Sequence, residues 1–172
     1  MILVVDVHYE PDGSALCAGL GVEVWTDPAA RTAWTCAVTE VAAYEPGQFA
    51  RRELPCLLQL LQMVDVDLDV IVVDGNAWNS PGAPGLGARL YRALGGAVPV
   101  VGVAKSRFAG VVAEEVLRGR SRKPLYVTSV GVDAGLAADW VRKMAGPFRL
   151  PSLLQQVDHL ARGRLLVDEV LS

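Results

Sequence analysis

Cysteine is scarce in this chain of 172 residues, and its placement excludes two kinds of cysteine site. The three cysteines form an odd number and contain no C-x-x-C pair, which argues against a disulfide framework and against a thiolate zinc site. Cys17 and Cys36 fall in strand-like segments, where buried free thiols are common. We therefore assign no function to the cysteines.

Long apolar runs are also missing. No run reaches the roughly 18 residues that a membrane span needs, and the apolar start of the chain ends at Asp6, too early for the core of a signal peptide. These absences predict a soluble, cytoplasmic protein with no membrane partner. Disorder is excluded as well, because 52% of the residues are hydrophobic and the mean hydropathy is +0.32.

An excess of positive charge, which would favour nucleic-acid binding, is absent from the chain as a whole. The formal net charge is −3, yet basic residues are clustered at Arg51 and Arg52 and over residues 118–123. Such clusters are most often solvated surface, with phosphate contact as the less common alternative. We expect a cluster to matter only if it lies beside a catalytic site.

Hydrophobic patterning predicts an α/β fold. Three strand-like segments with short connections indicate an antiparallel meander, and helices then alternate with further strands. The predicted strands cover residues 2–7, 15–25, 32–41, 70–73, 98–103 and 125–128; the predicted helices cover 49–64, 86–94, 134–144 and 152–161, with a Gly/Pro-rich loop over 75–87. We expect a mixed sheet flanked by helices, in a single domain over residues 1–172 because no linker is long enough to divide it.

Two of the predicted strands carry an acid where chemistry is expected. Asp74 ends an apolar strand, and functional groups gather at the carboxyl ends of parallel strands. Asp6 lies inside the first apolar strand, beside which the strand ending at Asp74 could pair. Taken alone, Asp6 could simply point to a polar face. Two acids at adjacent strand positions would repel unless a cation lay between them, and oxygen ligands of this kind suit Mg²⁺ or Mn²⁺.

The chain resembles the endonuclease V family, a group of nucleases that have an RNase H-like fold and cut near deaminated purines. Six blocks carry the resemblance, in the family's order and over most of the chain. They are Val5-Asp6-Val7-His8-Tyr9; Tyr44-Glu45-Pro46-Gly47 with Arg52-Glu53-Leu54-Pro55; Val72-Val73-Asp74-Gly75; Gly102-Val103-Ala104-Lys105-Ser106; Lys123-Pro124-Leu125-Tyr126-Val127 with Ser129-Val130-Gly131; and Arg149-Leu150-Pro151 with Asp158 further on.

The resemblance implies a catalytic site for phosphodiester hydrolysis that leaves 5′-phosphate and 3′-hydroxyl ends. Asp6, Glu53 and Asp74 would be catalytic carboxylates that hold Mg²⁺ or Mn²⁺. Lys105 would neutralise the scissile phosphate or the developing oxyanion. The implied substrate is DNA or RNA, with an inosine-type base as the recognised feature and a role similar to DNA repair. The oligomeric state stays open.

The resemblance also implies a strand-separating wedge. Tyr44, Pro46 and Gly47 would belong to it, because an aromatic ring can stack where a base is displaced. Ordinary packing beside a Pro-Gly turn is the alternative for Tyr44. Arg52 would contact phosphate in the bound nucleic acid, or merely pair with Glu53.

Three family histidines are replaced in this chain. Asn76, Ser80 and Val132 stand at their positions, and Asp133 could supply an oxygen ligand next to the last of them. These departures leave a second hypothesis open, a catalytically impaired endonuclease V homologue that acts as a nucleic-acid or partner binding module. A purely structural subunit would show no nucleic-acid affinity.

Overall fold

Seven strands form one mixed sheet in the computed structural model, which describes residues 1–39, 41 and 49–171. Strands and helices alternate after an initial run of three strands. The elements are β1 (Ile2–Tyr9), β2 (Ala15–Val22), β3 (Thr32–Val38), α1 (Phe49–Leu61), β4 (Val70–Asp74), β5 (Trp78–Ser80), β6 (Ala83–Pro84), α2 (Leu86–Ala93), β7 (Val100–Ala104), β8 (Glu114–Val116), β9 (Leu125–Val130), α3 (Ala134–Lys143), α4 (Ser152–Ala161) and α5 (Val167–Val170).

The strand order of the large sheet is β3-β2-β1-β4-β7-β9-β8. The first three strands pair as an antiparallel meander. Strands β1, β4 and β7 are parallel to one another, and β9 and β8 complete the other edge in antiparallel pairing. The predicted fold class, a mixed sheet with a three-strand antiparallel meander plus parallel strands and flanking helices, is confirmed.

Side chains alternate between two apolar layers along the central strands. Val4 and Val72 pack on one face in a cluster with buried residues of α3 and α4, whereas Val5 and Val73 pack on the other face with α1 and α2. Because both faces are covered, the central strands are continuous apolar runs rather than alternating ones. Two acids interrupt these runs: Asp74 is the last residue of β4, and Asp6 lies inside β1, just past the residues paired with β4.

Several predicted boundaries differ from the structure. The strand predicted to reach Trp25 ends at Val22, because the Asp27 carboxylate accepts hydrogen bonds from the backbone N–H groups of Glu23 and Val24, both at 3.2 Å. The third strand also ends early, at Val38. The predicted 75–87 loop contains the short hairpin of β5 and β6. Strand β8 and helix α5 are too short for a periodicity signal and were not predicted.

All three cysteines are free and buried; this was predicted for Cys17 and Cys36, and Cys56 in α1 is buried as well. In the described part of the chain, no helix is both long enough and apolar enough to cross a membrane.

Arg118 departs from the expectation of a solvated basic cluster, because it is only 7% exposed. Its guanidinium donates hydrogen bonds to backbone carbonyl oxygens in the segment that follows α3: Met144, Ala145 (3.4 Å), Gly146 (3.3 Å), Phe148 (3.1 Å) and Arg149 (3.3 Å). One buried cation thus supplies donors to carbonyl groups of an irregular segment, which lack the regular partners of a helix or sheet. It fixes the path of residues 144–149.

Replacing Arg118 by methionine should lower the free energy of unfolding by about 3 kcal/mol. The reason is that each buried carbonyl left without a donor costs about 1–3 kcal/mol. Urea unfolding of the variant measures the loss. Arg120→Met is the matched control, since Arg120 is exposed and its replacement should change stability by less than about 0.5 kcal/mol. Equal effects of the two substitutions would contradict the anchoring role.

Candidate active site

Asp6 and Asp74 lie on two adjacent parallel strands, just past the last paired residues: Asp74 ends β4, and Asp6 lies inside β1. The pairing of β1 with β4 brings Val4 opposite Val72 and Val5 opposite Val73, so the next residue on each strand is one of the two acids. Asp6 lies two residues after Val4, and Asp74 lies two residues after Val72. Because side chains alternate along a strand, both acids point to the same face of the sheet as these valines, the face covered by α3 and α4. The predicted pairing of these two strands is confirmed.

Two further acids reach the same place from helices on opposite faces of the sheet. Glu53 comes from α1 and is only 3% exposed. Asp158 comes from α4, and with Glu53, Asp6 and Asp74 it lines a cleft of about 290 Å³. The cleft is completed by Val7, Lys105 and Arg162. Sequence reasoning assigned no role to Asp158; the available signal was its position in the terminal block after Arg149-Leu150-Pro151.

Two carboxyl groups of this cleft, those of Asp6 and Glu53, have raised pKa values. Burial, followed by repulsion from Asp74, raises the pKa of Asp6 to about 7. Burial, followed by repulsion from Asp6 and Asp74, raises the pKa of Glu53 well above its ordinary value. Among the described residues, the Oε2 atom of Glu53 is buried without a hydrogen-bond partner. A buried oxygen in this state needs either a proton or a cation.

Cations of the protein itself reach two of the four acids. Lys105 Nζ lies 2.6 Å from Asp74 Oδ2, and Arg162 Nε lies 2.8 Å from Asp158 Oδ1. With the side chains in their present positions, no three Asp, Glu, His or Cys residues within the described ranges are close enough together to coordinate one metal ion. The orphaned oxygen of Glu53 and the oxygen-only donor set nevertheless fit a hard divalent cation such as Mg²⁺ or Mn²⁺.

Lys105 directly follows β7, the neighbour of β4, which explains why its side chain reaches Asp74. Its backbone is held in turn by Arg149, whose guanidinium donates hydrogen bonds to the carbonyl oxygens of Lys105 and of Pro124, the latter at 2.7 Å. The predicted catalytic lysine is therefore brought to the acids by pairing within the sheet and by a second basic side chain behind it.

Gly102 lets the chain after Asp74 pack closely on β7. A Cβ atom at this position would lie 2.6 Å from the backbone of Gly75 and of Ala77, closer than real Cβ contacts allow. The same loop is fixed by a hydrogen bond that the Ala77 N–H donates to Thr128 Oγ1, at 2.8 Å. A steric requirement thus explains why the Gly102-Val103-Ala104-Lys105-Ser106 block begins with a glycine.

A second cavity, of about 230 Å³, shares Asp74 with the carboxylate cleft. Its other lining residues are Ala50, Gly75, Asn76, Asn79, Leu86 and Phe108. The Oδ1 atom of Asn76 is buried and, among the described residues, has no hydrogen-bond partner. Trp78, in the loop after Asp74, ties this region to β9 by donating from Nε1 to the Ser129 carbonyl oxygen at 2.9 Å.

The remaining predicted residues have other placements. Tyr44, Pro46 and Gly47, the predicted wedge, lie outside the residues that the structure describes. The Arg52 guanidinium lies 3.8 Å from the centroid of the Tyr9 ring, in a cation–π contact, and its predicted phosphate contact stays a prediction.

Asp133 caps α3 and does not line the carboxylate cleft described above. Its Oδ1 atom accepts a hydrogen bond from the backbone N–H of Leu136 at 3.0 Å. The carboxylate therefore serves the helix terminus, where an acid is favourable. Its suggested role as an oxygen ligand stays a prediction.

Solved structures share this fold. The endonuclease V of Streptomyces avermitilis superposes with a TM-score of 0.79 at 25% identity, covering 94% of this chain and 79% of that one. The endonuclease V of Ciona intestinalis, solved with a 24-mer DNA containing an inosine followed by a ribo-adenosine, gives a TM-score of 0.80 at 19% identity, covering 94% and 84%.

The sheet, with Asp6 and Asp74 on adjacent central strands and a lysine beside them, has the mixed α/β architecture of these solved endonuclease V structures. More narrowly, the sequence profile described as Endonuclease V matches residues 1–132, and the chain belongs to the endonuclease V family.

Proteins with the name endonuclease V are also similar to this chain in sequence. Endonuclease V of Rhodospirillum centenum is 33% identical over 130 residues, covering 63% of this chain and 53% of that protein, so the matched region spans about half the length of the relative. Endonuclease V of Nostoc punctiforme is 27% identical over 181 aligned positions, covering 93% of this chain and 81% of that protein.

Proposed function

We propose that this protein is a divalent-metal-dependent endonuclease that hydrolyses a phosphodiester bond in DNA or RNA near an inosine-type deaminated base, with a role similar to DNA repair. The observation that carries the proposal is the convergence of Asp6, Glu53, Asp74 and Asp158 on one cleft beside Lys105. A binding surface for polyanions gains nothing from four acids, whereas a metal-dependent hydrolytic site requires them.

The four acids and the lysine have different parts in the proposed reaction. Asp6, Glu53, Asp74 and Asp158 would hold Mg²⁺ or Mn²⁺ through their carboxylate oxygens. A bound divalent cation supplies Lewis-acid stabilisation of phosphate charge and lowers the pKa of water. The Lys105 ammonium, now paired with Asp74, would contact a non-bridging oxygen of the scissile phosphate and neutralise the charge that develops there.

The cavity of about 230 Å³ beside Asp74 supports recognition of a displaced base. Asn76 and Asn79 give this cavity amide groups that can hydrogen-bond to the edge of a purine, and the half-exposed ring of Phe108 can stack on its face. Inosine carries an N1–H donor where adenosine carries an acceptor, so an amide oxygen turned toward the base favours the deaminated one. The endonuclease V of Ciona intestinalis, which shares this fold, was solved with inosine-containing DNA, and this supports an inosine-type base as the proposed substrate feature.

The direct test is a cleavage assay on end-labelled DNA and RNA strands that contain one inosine, with Mg²⁺ or Mn²⁺, against matched adenosine strands. We expect cleavage that requires the metal, with preference for the inosine strands. The products should carry 5′-phosphate and 3′-hydroxyl ends. Absence of cleavage with either metal, together with absence of metal binding by calorimetry, would rule the proposal out.

Replacing Lys105 by methionine should lower kcat by about 10²-fold while changing KM little. The expected size follows from losing one preorganised positive group at the developing charge. Single-turnover kinetics on the inosine strand measures the effect. Lys143→Met, at an exposed lysine near the end of α3, is the matched control and should keep full activity. A fall in affinity with unchanged kcat would assign Lys105 to ground-state binding instead.

The second candidate function is a nucleic-acid or partner binding module without catalysis. The observation that favours it is the replacement of family histidines by Asn76, Ser80 and Val132. The two candidates separate in the same assay, because a binding module would retain inosine-containing strands without cutting them at any metal concentration.

A further inference from the structure

The basic segment of residues 118–123 forms one wall of a cleft that the proposed hydrolytic reaction does not use. This cleft has a volume of about 680 Å³ and is lined by Arg120, Ser121, Pro147, Phe148 and Arg149; we call it the basic cleft. Its volume lies within the range of about 300–1,000 Å³ typical of ligand sites. Two arginines and one aromatic ring make it chemically distinct from the carboxylate cleft.

The basic side chains in and next to the basic cleft are available to a partner: Arg120 lines the cleft, and Arg122 and Lys123 follow it closely in the chain. Arg120, Arg122 and Lys123 are exposed, and in the described part of the chain none of them forms a salt bridge. The nearby Arg107 differs, because its guanidinium lies 3.7 Å from the carboxylate of Glu115. A local excess of positive charge therefore stands on a protein whose net charge is −3.

Phe148 presents a large apolar surface to solvent inside this charged region. Its side chain is 64% exposed, although the sheet offers two apolar layers in which a phenylalanine could be buried. An exposed ring flanked by arginines is the arrangement on which unpaired bases stack while their phosphates contact the cations.

The walls of the basic cleft are held in place before any ligand binds. Arg118 anchors the carbonyl groups of residues 144–149, which carry the aromatic wall. Gly119 packs so closely on Pro147 that a Cβ atom would collide with the Pro147 carbonyl oxygen, and its φ of +59° also favours glycine. The turn is closed by Ser121, whose Oγ accepts from the Lys123 N–H at 3.1 Å.

Arg149 connects the basic cleft to the active site. It lines the cleft, and its guanidinium donates to the backbone carbonyl oxygen of Lys105, whose ammonium is 2.6 Å from Asp74. Arg149 is therefore the residue through which the wall of the basic cleft contacts the backbone that carries the predicted catalytic lysine.

We infer that the basic cleft binds an unpaired segment of the strand being cleaved, with phosphates on Arg120, Arg122 and Lys123 and one base stacked on Phe148. The inference rests on the proposed nuclease function. It assigns the partner as single-stranded nucleic acid, because a base within a duplex has no free face to offer the ring. Both DNA and RNA have the required phosphates and bases, so the two are separate arms of the test.

The test measures binding apart from cleavage. Fluorescence anisotropy follows labelled inosine-containing single strands of DNA and of RNA, in EDTA, at several salt concentrations between about 50 and 200 mM. We expect the variant Arg120→Gln/Arg122→Gln/Lys123→Gln to lose at least about tenfold in affinity. Its salt slope should be shallower by about 2, since each phosphate contact on a single strand contributes about 0.7.

Two controls isolate charge and position. Arg120→Lys/Arg122→Lys keeps the charge and should keep the salt slope. Arg92→Gln removes an exposed arginine from α2, on the opposite face of the sheet from α3, and should bind as the unmodified protein does. A triple glutamine variant that keeps normal affinity and slope on both DNA and RNA would overturn the inference.

Phe148→Ala tests the stacking contact. We expect affinity for single strands to fall about tenfold with an unchanged salt slope, and affinity for the matched duplex to stay the same. Equal losses on duplex and single strand, or no loss on either, would overturn the assignment to an unpaired base. Thermal unfolding at an unchanged midpoint confirms that each variant is folded.

The inference and the proposed function can fail separately. Normal cleavage by the unmodified protein, combined with normal binding by the triple variant, would disprove the inferred role of the basic cleft. The proposed nuclease function would still stand. Loss of binding in the triple variant, without any cleavage by the unmodified protein, would leave the basic cleft as the surface of a binding module. A protein that binds neither DNA nor RNA would overturn both.

Discussion

Replacing Asp74 by asparagine should reduce strand cleavage by at least about 10²–10³-fold without unfolding the protein. The carboxylate stands between Asp6 and Lys105, and asparagine keeps its shape while removing its charge. Losing one charge-stabilising group at a reaction centre has an effect of this size. If Asp74 also holds the divalent cation, calorimetry should show weaker Mn²⁺ binding in the variant.

The same variant gives a second readout that does not depend on activity. Because repulsion from Asp74 is one cause of the raised pKa of Asp6, the substitution should lower that pKa, measurable by NMR titration of the Asp6 carboxyl carbon. Asp139→Asn is the matched control, since Asp139 is an exposed acid on α3 paired with Arg142. Undiminished cleavage by the Asp74 variant would remove Asp74 from the catalytic site.

In the absence of divalent cations, the protein should be more stable at pH 5 than at pH 8, with about 3 kcal/mol of the difference due to Asp6. The pKa of this carboxyl rises from its ordinary value of 3.8 to about 7 in the folded chain, so the folded state holds the proton more tightly. The contribution is fully present below about pH 4 and is lost as the pH rises through about 7. Glu53, whose pKa is also raised, acts in the same direction.

A divalent cation should oppose this dependence and reduce the difference in stability between the two pH values. At pH 8, above the pKa of about 7 of Asp6, this carboxylate is ionised and open to metal, so Mg²⁺ at about 100 times its Kd should add about 2.7 kcal/mol to the free energy of unfolding. At pH 5 protons compete for the same oxygens, and the gain should shrink. Urea unfolding at both pH values, with Mg²⁺ or with EDTA, measures these effects.

The variant Asp6→Asn separates this site from every other titrating group. It should flatten the metal-free pH dependence by about 3 kcal/mol between pH 5 and pH 8, because asparagine does not titrate. An unchanged pH dependence in the variant would show that Asp6 is not the group whose ionisation destabilises the folded state.

Much of the candidate site was predictable because its signals are local. Asp74 ends a continuous apolar run, and the parallel pairing of such runs brings their ends together whatever the surrounding loops do. Lys105 follows the neighbouring strand in the same way. Glu53 was different: a buried acid on a helix has no distinguishing pattern, and only the family resemblance singled it out.

Asp158 shows where sequence reasoning stopped. Its helix was predicted with the correct bounds, but the direction of one side chain toward a cleft depends on how that helix crosses the sheet. That crossing is set by packing between α4 and the first two strands, far away in the sequence. No local pattern encodes it.

Periodicity and the order of short blocks were enough to establish the apolar strands, the acids at their ends and the family to which the chain belongs, because these features are local. The separate roles within the basic cluster depend instead on tertiary contacts. Arg118 is buried because the carbonyl groups that need its guanidinium lie near residue 146, whereas Arg120 and Arg122 remain at the surface. Neighbours in sequence thus differ in role because burial is set by contacts with distant residues.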